Sequence, residues 1–304
     1  HADGAVHRAP GHHGGGGAWY VILRRRCTSG LSPRGVAPSL QLMSLGRLTV
    51  KISTIAALLL LTASPLAAFS VQVPSPAEMG VSARDRPAEQ VELDAGRKPV
   101  EVLTFLGLKY GDRVLDVMAG GGYYTEIMAR AVGPKGYVMA LEPPQFVKTD
   151  KAKAAWDALI ERDKNVGLML MSPQNVALAP DSYDFVLMHL VYHDAYWESA
   201  KYDFKRMDPA TFLKVVFSAT KPGGIVGVVD HVGQPADDTR ATVDKLHRMD
   251  PAVIKADFLA AGFVFEGESA VLANPADDHK TLVFDPAIRG KTDRVVYKFR
   301  RPKG

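Results

Sequence analysis

The sequence predicts an α/β domain whose mostly parallel sheet is covered by helices on both faces. Short apolar runs alternate with segments in which apolar residues recur at helical spacing. Three consecutive glycines directly follow the first apolar run, and helix-forming residues resume after them. Strands that alternate with helices build right-handed βαβ units on a parallel sheet. Because no linker or internal repeat interrupts residues 96–304, we expect one domain there.

The elements of this domain follow in chain order. Residues 91–108 have helical spacing, and Pro99 suits the first turn of a helix. Apolar runs too short for helices predict strands over 112–118, 136–143, 166–172, 182–189, 221–231, 264–272, 280–284 and 293–302. Amphipathic segments predict helices over 123–132, 151–163, 209–220 and 251–261, the last ended by Gly262.

Three segments precede this domain. Residues 1–42 begin without methionine and are rich in Gly, His and Arg, so we expect a disordered or non-native leader. Residues 43–70 have the layout of a secretory signal peptide, with an apolar core too short for a permanent membrane span. A buried or amphipathic first helix is the alternative. Residues 71–95 are polar and proline-rich, which predicts an extended N-terminal arm.

The leader accounts for the basic character of the chain. It and the signal peptide hold seven of the 37 Lys and Arg residues and one of the 33 acids, which leaves 30 basic and 32 acidic residues beyond position 70. This balance argues against a nucleic-acid partner. The single cysteine, Cys27, precedes the predicted signal peptide, so a disulfide framework and a thiol nucleophile are excluded from the expected mature protein. We expect that protein to be exported to the periplasm, and intact-mass analysis of an envelope fraction would test the cleavage near Ala68 or Ser70.

The glycine-rich turn after the first strand points to a ligand without a phosphate group. A dinucleotide-binding turn would have a third glycine where Thr125 stands, which disfavours a nucleotide-binding oxidoreductase. A phosphate-binding loop would have a lysine after its last glycine, and none stands there. The second strand ends at Glu142, whose carboxylate suits a ribose diol.

The segment LDVMAGGGYYTE resembles the first motif of class I S-adenosylmethionine-dependent methyltransferases. Together with RKPVEVLTFLGLKYGDRV, VYHDAYW, KPGG and FDPAIRGKTDRVVYKFRRP, it resembles a bacterial group of exported predicted methyltransferases over roughly residues 75–302. The resemblance implies a three-layer Rossmann-like fold with a seven-stranded sheet whose last strand is antiparallel. It also implies S-adenosyl-L-methionine as the cofactor.

The same resemblance implies where the cofactor binds. Asp116 would lie near its methionine end, Glu142 would hold its ribose, and Ser172, Gln174 or Asn175 would contact adenine in place of the usual acid. Met118 stands where the motif has its first glycine. The cofactor-binding residues expected in this way are Asp116, Ala119, Gly120, Gly122, Tyr124, Glu142, Gln174 and Asn175.

Histidines that leave neighbouring strands are the candidates for proton transfer. His193 and His231 follow the fourth and fifth strands, so they converge near the methyl group of the cofactor, with Asp194 or Asp230 orienting an imidazole. Tyr192 and Trp197 are expected to shape an acceptor pocket. Two alternatives stay open: the histidines are purely structural, or the two His and two Asp residues hold a metal. Since their spacing is unspecific, no metal site is predicted.

The sequence therefore predicts a methyltransferase that acts on a small-molecule acceptor, with no nucleic-acid partner and no permanent membrane span. The alternative is a non-catalytic envelope protein of the same fold that binds an adenosyl-type or other small ligand. It arises because S-adenosylmethionine is made in the cytosol, away from an exported enzyme.

Overall fold

The computed structural model describes residues 73–304, so the predicted leader and signal peptide lie outside the described residues. Seven strands form one sheet in the order β3-β2-β1-β4-β5-β7-β6. Their bounds are β1 Arg113–Val117, β2 Tyr137–Glu142, β3 Val166–Leu170, β4 Tyr183–His189, β5 Thr220–His231, β6 Val264–Ser269 and β7 Arg294–Arg300. Among residues 73–304, no helix is both long and apolar enough to cross a bilayer.

The strand pairing confirms the predicted fold class. Strands β1 to β5 pair in parallel, whereas β7 runs antiparallel to both of its neighbours, β5 and β6. The predicted strand over 280–284 is wrong, because this segment forms turns and bends. Its backbone bonds to a helix end instead of a strand: the N–H of Val283 donates to the carbonyl of Leu246 at 3.2 Å.

Helices cover both faces of the sheet. They are α1 Pro76–Val81, α2 Ala88–Val91, α3 Asp94–Arg97, α4 Pro99–Leu106, α5 Tyr123–Val132, α6 Asp150–Arg162, α7 Pro209–Ala219, α8 Thr239–Leu246 and α9 Pro251–Ala260. Strand side chains alternate between two cores, so that in β4 Phe185 packs with α4, α5 and α6, and Val186 packs with α7, α8 and α9. This alternation produces the three layers that the sequence predicts.

Of the predicted extended arm over 71–95, the described residues 73–95 form short helices instead. Ser75 caps α1 by accepting from the N–H of Glu78, and the Glu78 side chain accepts in return from the N–H of Ser75. This capping box, with Pro76 at the first helical position, favours a helix where proline content alone suggested extension. Helix α1 packs against α5 so closely that a side chain at Gly80 would collide with the Ile127 carbonyl.

The predicted helix over 91–108 is also divided in the structure. Lys98 has a φ of 43°, which ends α3, and Pro99 starts α4 at its first turn. The strand order changes direction between β1 and β4. Strands β2 and β3 lie on one side of β1, and β4 and β5 lie on its other side. Ligand clefts of open α/β sheets lie at the carboxyl ends of the strands at this point.

Candidate active site

A cavity of about 390 Å³ lies beside the glycine-rich turn at the carboxyl ends of β1 and β2. The turn forms one wall, helix α6 and the segment after β2 form the other, and the segment after β4 closes it. Its lining residues are Met118, Gly120, Gly121, Glu142, Phe146, Ala152, Ala155, Trp156, Val191 and Asp194. The cavity therefore occupies the place that the sequence predicts for a ligand.

The glycines of the turn have different roles. Gly120 has a φ of 59°, and a Cβ atom added there would meet nothing within 4 Å, so its bare backbone faces open space. A Cβ atom at Gly122 would lie 2.5 Å from a methyl carbon of Leu159 and 3.3 Å from Trp156. Gly120 thus suits close approach of a ligand, whereas Gly122 is required by the packing of α6 and does not line the cavity.

Met118 takes the left-handed conformation at the start of this turn. Its φ is 48°, in the region where the motif's usual glycine would be unstrained. The side chain is nonetheless buried and lines the cavity. Ala119 continues the turn, and its N–H donates to the carbonyl of Leu141 at 3.2 Å. The departure from the motif therefore narrows the cavity with an apolar side chain while the turn keeps its shape.

Glu142 is the buried acid of the cavity. Its Oε2 accepts a hydrogen bond from the N–H of Gly120 at 2.8 Å, which ties the end of β2 to the turn. Burial raises the pKa of Glu142 to about 8, and the nearby charges of Asp116 and Asp194 act in the same direction. The carboxyl group can offer its other oxygen to a hydroxyl of a ligand.

Replacing Glu142 with glutamine is expected to stabilise the ligand-free protein at alkaline pH. The folded carboxyl keeps its proton up to about pH 8, while the unfolded one loses it near 4.5, so wild-type stability falls as the pH rises between these values. Glutamine does not ionise and removes this loss. Relative to the wild type, we expect the free energy of unfolding of the variant to be on the order of 1–3 kcal/mol higher at pH 9 than at pH 5, measured by chemical denaturation. A stability difference between variant and wild type that does not change with pH would contradict the raised pKa of Glu142.

Asp116 and Tyr124 lie behind the turn and outside the lining of the cavity. Asp116 is buried and accepts from the Thr125 hydroxyl at 2.6 Å. Burial raises its pKa to about 7, although that hydrogen bond and the charge of Arg97 lower it. The ring of Tyr124 packs on His189 with centroids 4.6 Å apart. Both residues support the turn from within the core.

The N-terminal helices bring two polar side chains to the turn that sequence reasoning missed. The Arg97 guanidinium lies 4.4 Å from the centre of the Tyr123 ring, and its charge acts on Asp116. The buried Oε1 of Gln90 has no hydrogen-bond partner in the described structure, and its Nε2 would be 3.9 Å from a Cβ atom at Gly121. A positive charge and an unsatisfied amide thus lie beside the turn. The capping box at Ser75 was the signal that this segment folds onto the domain.

The residues predicted to contact adenine lie elsewhere. Gln174 lines a separate cleft between the turn after β3 and helix α7, and its Nε2 donates to the Lys205 carbonyl at 2.5 Å. The N–H of Asn175 donates to the carbonyl of Ser172 at 3.0 Å within a short 3-10 turn. Neither Gln174 nor Asn175 lines the cavity beside Gly120.

A second cavity, of about 510 Å³, adjoins the first and shares Phe146 and Asp194 with it. We call it the histidine cavity, because it contains His193, His231 and His247. Its remaining lining residues are Leu190, Trp197, Tyr202, Asp244, Lys245, Leu282, Val283 and Phe284. The two cavities are therefore neighbours, with Phe146 and Asp194 at their shared border.

His193 and Asp230 form a buried pair in the histidine cavity. Asp230 accepts from His193 twice, from the ring Nδ1 at 2.7 Å and from the backbone N–H at 2.8 Å. Burial by itself lowers the pKa of His193, but the charges of Asp230 and Asp194 outweigh it and raise the pKa to about 9. Since Nδ1 is engaged, Nε2 is the ring nitrogen available to other groups, and it lies 3.5 Å from Asp194.

His231 and Asp194 differ from this pair in their environment. The Nδ1 of His231 lies 2.7 Å from the Thr292 hydroxyl, and burial lowers the pKa of the ring to about 3. This makes His231 a much weaker base than His193. Burial raises the pKa of Asp194 to about 6, against the opposing charge of His193. The structure thus brings together His193, His231 and Asp194, as the sequence predicts.

The structure contradicts the prediction for Tyr192. Its ring is buried 5.1 Å from that of Phe258, and its hydroxyl donates to Asp257 at 2.7 Å. Successive residues of this 3-10 turn point in different directions, so His193 faces the histidine cavity while Tyr192 faces the core beneath α9. Trp197 does line the cavity.

His247 is the residue of the histidine cavity that sequence reasoning missed. It ends α8 with a φ of 49°, and its ring centroid lies 5.5 Å from that of His193. The next residue, Arg248, is fully buried and binds Asp277 through two hydrogen bonds of 2.8 and 2.9 Å. This anchor holds the end of α8 against the cavity. Helix α8 itself was not predicted, because its exposed face is polar.

The sheet order and the turn at its switch point define the class of this domain, the Rossmann-like α/β fold of methyltransferases. Residues 94–166 match the family model for protein-L-isoaspartate (D-aspartate) O-methyltransferase. The match covers α3, α4, β1, the glycine turn, α5, β2 and α6, and of the residues that line the histidine cavity it includes only Phe146. The matched family implies S-adenosylmethionine as the cofactor, in agreement with the prediction from the sequence.

Solved structures of low sequence identity resemble the chain. A methyltransferase from Aquifex aeolicus is 20% identical, with 71% of this chain and 94% of that chain covered and a TM-score of 0.49. One from Mesorhizobium loti is 16% identical, with 69% and 100% covered and a TM-score of 0.49. The [4+2]-cyclase SpnF is 18% identical, with 69% and 82% covered and the same TM-score. These likenesses concern the fold and do not identify a reaction. No curated protein matches the sequence.

Proposed function

We propose that the protein is an S-adenosylmethionine-dependent methyltransferase that acts on a small-molecule acceptor. The observation that carries this proposal is that two cavities adjoin: Phe146 and Asp194 border both the cavity beside the glycine turn and the histidine cavity. One part has the bare backbone and acid of a nucleoside site, and the other has a candidate proton acceptor. When bound, S-adenosylmethionine supplies a methyl group on a sulfonium.

The residues beside the turn fit such a cofactor. Gly120 leaves open space above its backbone, and Glu142 offers a buried carboxyl oxygen to a ribose hydroxyl. Gln90 and Arg97, on the N-terminal side of the turn, supply an unsatisfied amide and a cation for the polar groups of a methionine moiety. We propose these residues as cofactor contacts, and we propose Asp116 and Tyr124 as support for the turn.

The residues of the histidine cavity fit the acceptor. We propose that His193, oriented by Asp230, takes a proton from the acceptor when its imidazole is neutral, which requires a pH near or above its pKa of about 9. Its Nε2 then faces the cavity unprotonated, and two carboxylates stabilise the imidazolium that forms. Trp197, Tyr202 and Phe284 provide an aromatic wall. A small aromatic or apolar molecule with a hydroxyl group matches this lining. The isoaspartyl substrate in the name of the matched family is not carried over, because the match includes only Phe146 of the residues that line this cavity.

Binding of S-adenosylmethionine tests the proposal. We expect the purified full chain to bind it and its demethylated product in isothermal titration calorimetry. The Glu142→Ala variant should bind about 0.5–1.5 kcal/mol more weakly at neutral pH, the range for a lost hydrogen bond between uncharged groups, because the carboxyl keeps its proton there. Failure of the wild-type protein to bind either compound would refute the assignment. Binding without turnover on a panel of phenols and other small hydroxyl compounds would favour a non-catalytic adenosyl-binding protein instead.

We further propose that the protein is exported, with residues 43–70 removed as a signal peptide. The support is the sequence layout alone. A chain recovered from a bacterial envelope fraction with residues 58–61 still attached would contradict cleavage.

A further inference from the structure

Three potential metal ligands meet at the junction of the two cavities. The Nε2 of His193 lies 3.5 Å from an oxygen of Asp194 and 3.4 Å from the Nδ1 of His247, and these last two atoms are 4.0 Å apart. Two ligands bound tetrahedrally to one ion at about 2.1 Å would lie roughly 3.4 Å apart. Among residues 73–304, this is the one group of three such side chains with ligand atoms so close together.

The surroundings of His193 favour ligation through Nε2. Metal-binding histidines commonly donate their other ring N–H to a carboxylate, which fixes the tautomer and directs the free lone pair at the ion. Asp230 performs this role for His193 at 2.7 Å, and its side chain is fully buried. The carboxylates of Asp194 and Asp230 would balance the two positive charges of an ion, with both histidines neutral.

His247 reaches the junction through an unusual helix end. A residue with a φ of 49° after the last helical turn is most often glycine, because a Cβ atom is strained there. The imidazole in this position packs against Trp197 and Phe284, with ring centroids 5.2 and 4.9 Å away. The end of α8 therefore places a histidine next to His193 and Asp194 where glycine would be less strained.

We propose that His193, Asp194 and His247 bind a divalent first-row transition metal ion at the junction of the cavity beside the glycine turn and the histidine cavity. Two imidazoles and one carboxylate suit Zn²⁺ and its neighbours better than Mg²⁺ or Ca²⁺, which prefer oxygen ligands. Three protein ligands leave a position open for water or for an oxygen of a substrate, as in catalytic zinc sites. This site differs from the metal alternative considered for the sequence, since it uses His247 and makes Asp230 an outer partner.

The site does not rest on the proposed methyl transfer, although it would alter the role of His193 in it. A bound ion occupies the Nε2 lone pair, so His193 then orients and holds the ion and does not take the proton itself. The charge of the ion lowers the pKa of a hydroxyl bound to it, which provides another route to the reactive oxygen.

Titration with Zn²⁺ tests the site in the full chain after chelator treatment. His1, His7, His12 and His13 of the leader can also bind zinc, so the result is the difference between variants that all retain the leader. We expect one zinc ion per wild-type chain beyond that background. His247→Gly and Asp194→Asn should weaken this ion by about 100-fold or more, and Asp230→Asn by roughly 10–100-fold. His247→Gly should keep or raise the melting temperature, because glycine relieves the left-handed strain.

His279→Gln is the matched control. His279 also has a positive φ and a carboxylate partner, Asp293 at 2.9 Å, but it lies outside the histidine cavity. It should bind zinc as the wild type does. Equal zinc stoichiometry and affinity in wild type, His247→Gly and His279→Gln would overturn the proposal, as would a wild-type chain without zinc beyond the leader background. Calorimetry with S-adenosylmethionine on the same proteins reports the cofactor assignment separately, so failure of one assignment does not imply failure of the other.

Discussion

Turnover is expected to fall by about 10²- to 10⁴-fold when His193 is replaced by alanine, while the affinity for S-adenosylmethionine changes little. Among the residues described, His193 is the only histidine whose ring is oriented by the Asp230 carboxylate. Asp230 engages its Nδ1, and its Nε2 points toward Asp194 at the shared border of the two cavities. His193 itself is not among the lining residues of the cavity beside the glycine turn. The measurement is release of S-adenosylhomocysteine with an acceptor that the wild type methylates.

Loss of the imidazole also leaves the buried Asp230 without its ring partner, which can destabilise the fold. His193→Asn separates the two effects, because the asparagine amide can still donate to Asp230 in place of Nδ1 and provides no nitrogen in place of Nε2. We expect this variant to fold and to be inactive. His231→Ala should cost less activity, since its ring is a weak base held by Thr292. Wild-type turnover in both His193 variants would show that His193 is structural.

Gly120→Val is expected to weaken S-adenosylmethionine binding by about 100-fold or more, with the sheet still folded. The added side chain would extend into the open space above the turn, where the cofactor must approach the backbone. Steric overlap of this kind commonly costs a few kcal/mol, and each 1.4 kcal/mol is tenfold in affinity. Calorimetry with the purified variant gives the affinity, and thermal denaturation gives the stability.

Gly111→Val is the matched control for the strain of valine at a positive φ. Gly111 has a φ of 87° and nothing within 4 Å of an added Cβ atom, and it precedes β1 at the opposite end of the strand from the cavity. The Gly111→Val variant should lose stability but keep the wild-type affinity for S-adenosylmethionine. Gly122→Val should instead damage folding, because its side chain would overlap Leu159 and Trp156. Equal binding by the Gly120 and Gly111 variants would argue against a cofactor at the turn.

The sheet and the central parts of the site were predictable because they depend on local patterns. The alternation of short apolar runs with helical segments predicts strands and helices, and the glycines after β1 and the acid after β2 follow from where those strands end. His193, His231 and Asp194 were found because two neighbouring strands deliver their ends to one edge. In each case the position of a residue follows from the element beside it in the sequence.

What could not be predicted depends on contacts between segments far apart in the chain. Tyr192 turns into the core because Asp257, 65 residues later, binds its hydroxyl. His247 enters the site because Arg248 is held by Asp277, 29 residues further on. Arg97 and Gln90 reach the turn because α1 packs on α5 and the Tyr123 hydroxyl donates to Asp94, whereas the proline content of this segment predicts an extended arm. No local periodicity carries this information.

The place of β7 in the sheet affects how the protein is completed during synthesis. This strand, Arg294–Arg300, lies between β5 and β6 and pairs with both, although it comes last in the sequence. Until it leaves the ribosome, β6 has no partner and the inner edge of β5 exposes unpaired backbone groups on that side. Folding of this half of the domain therefore cannot be completed before β7 is synthesised, and a chain shortened before β7 would lack an internal strand of the sheet and become prone to aggregation.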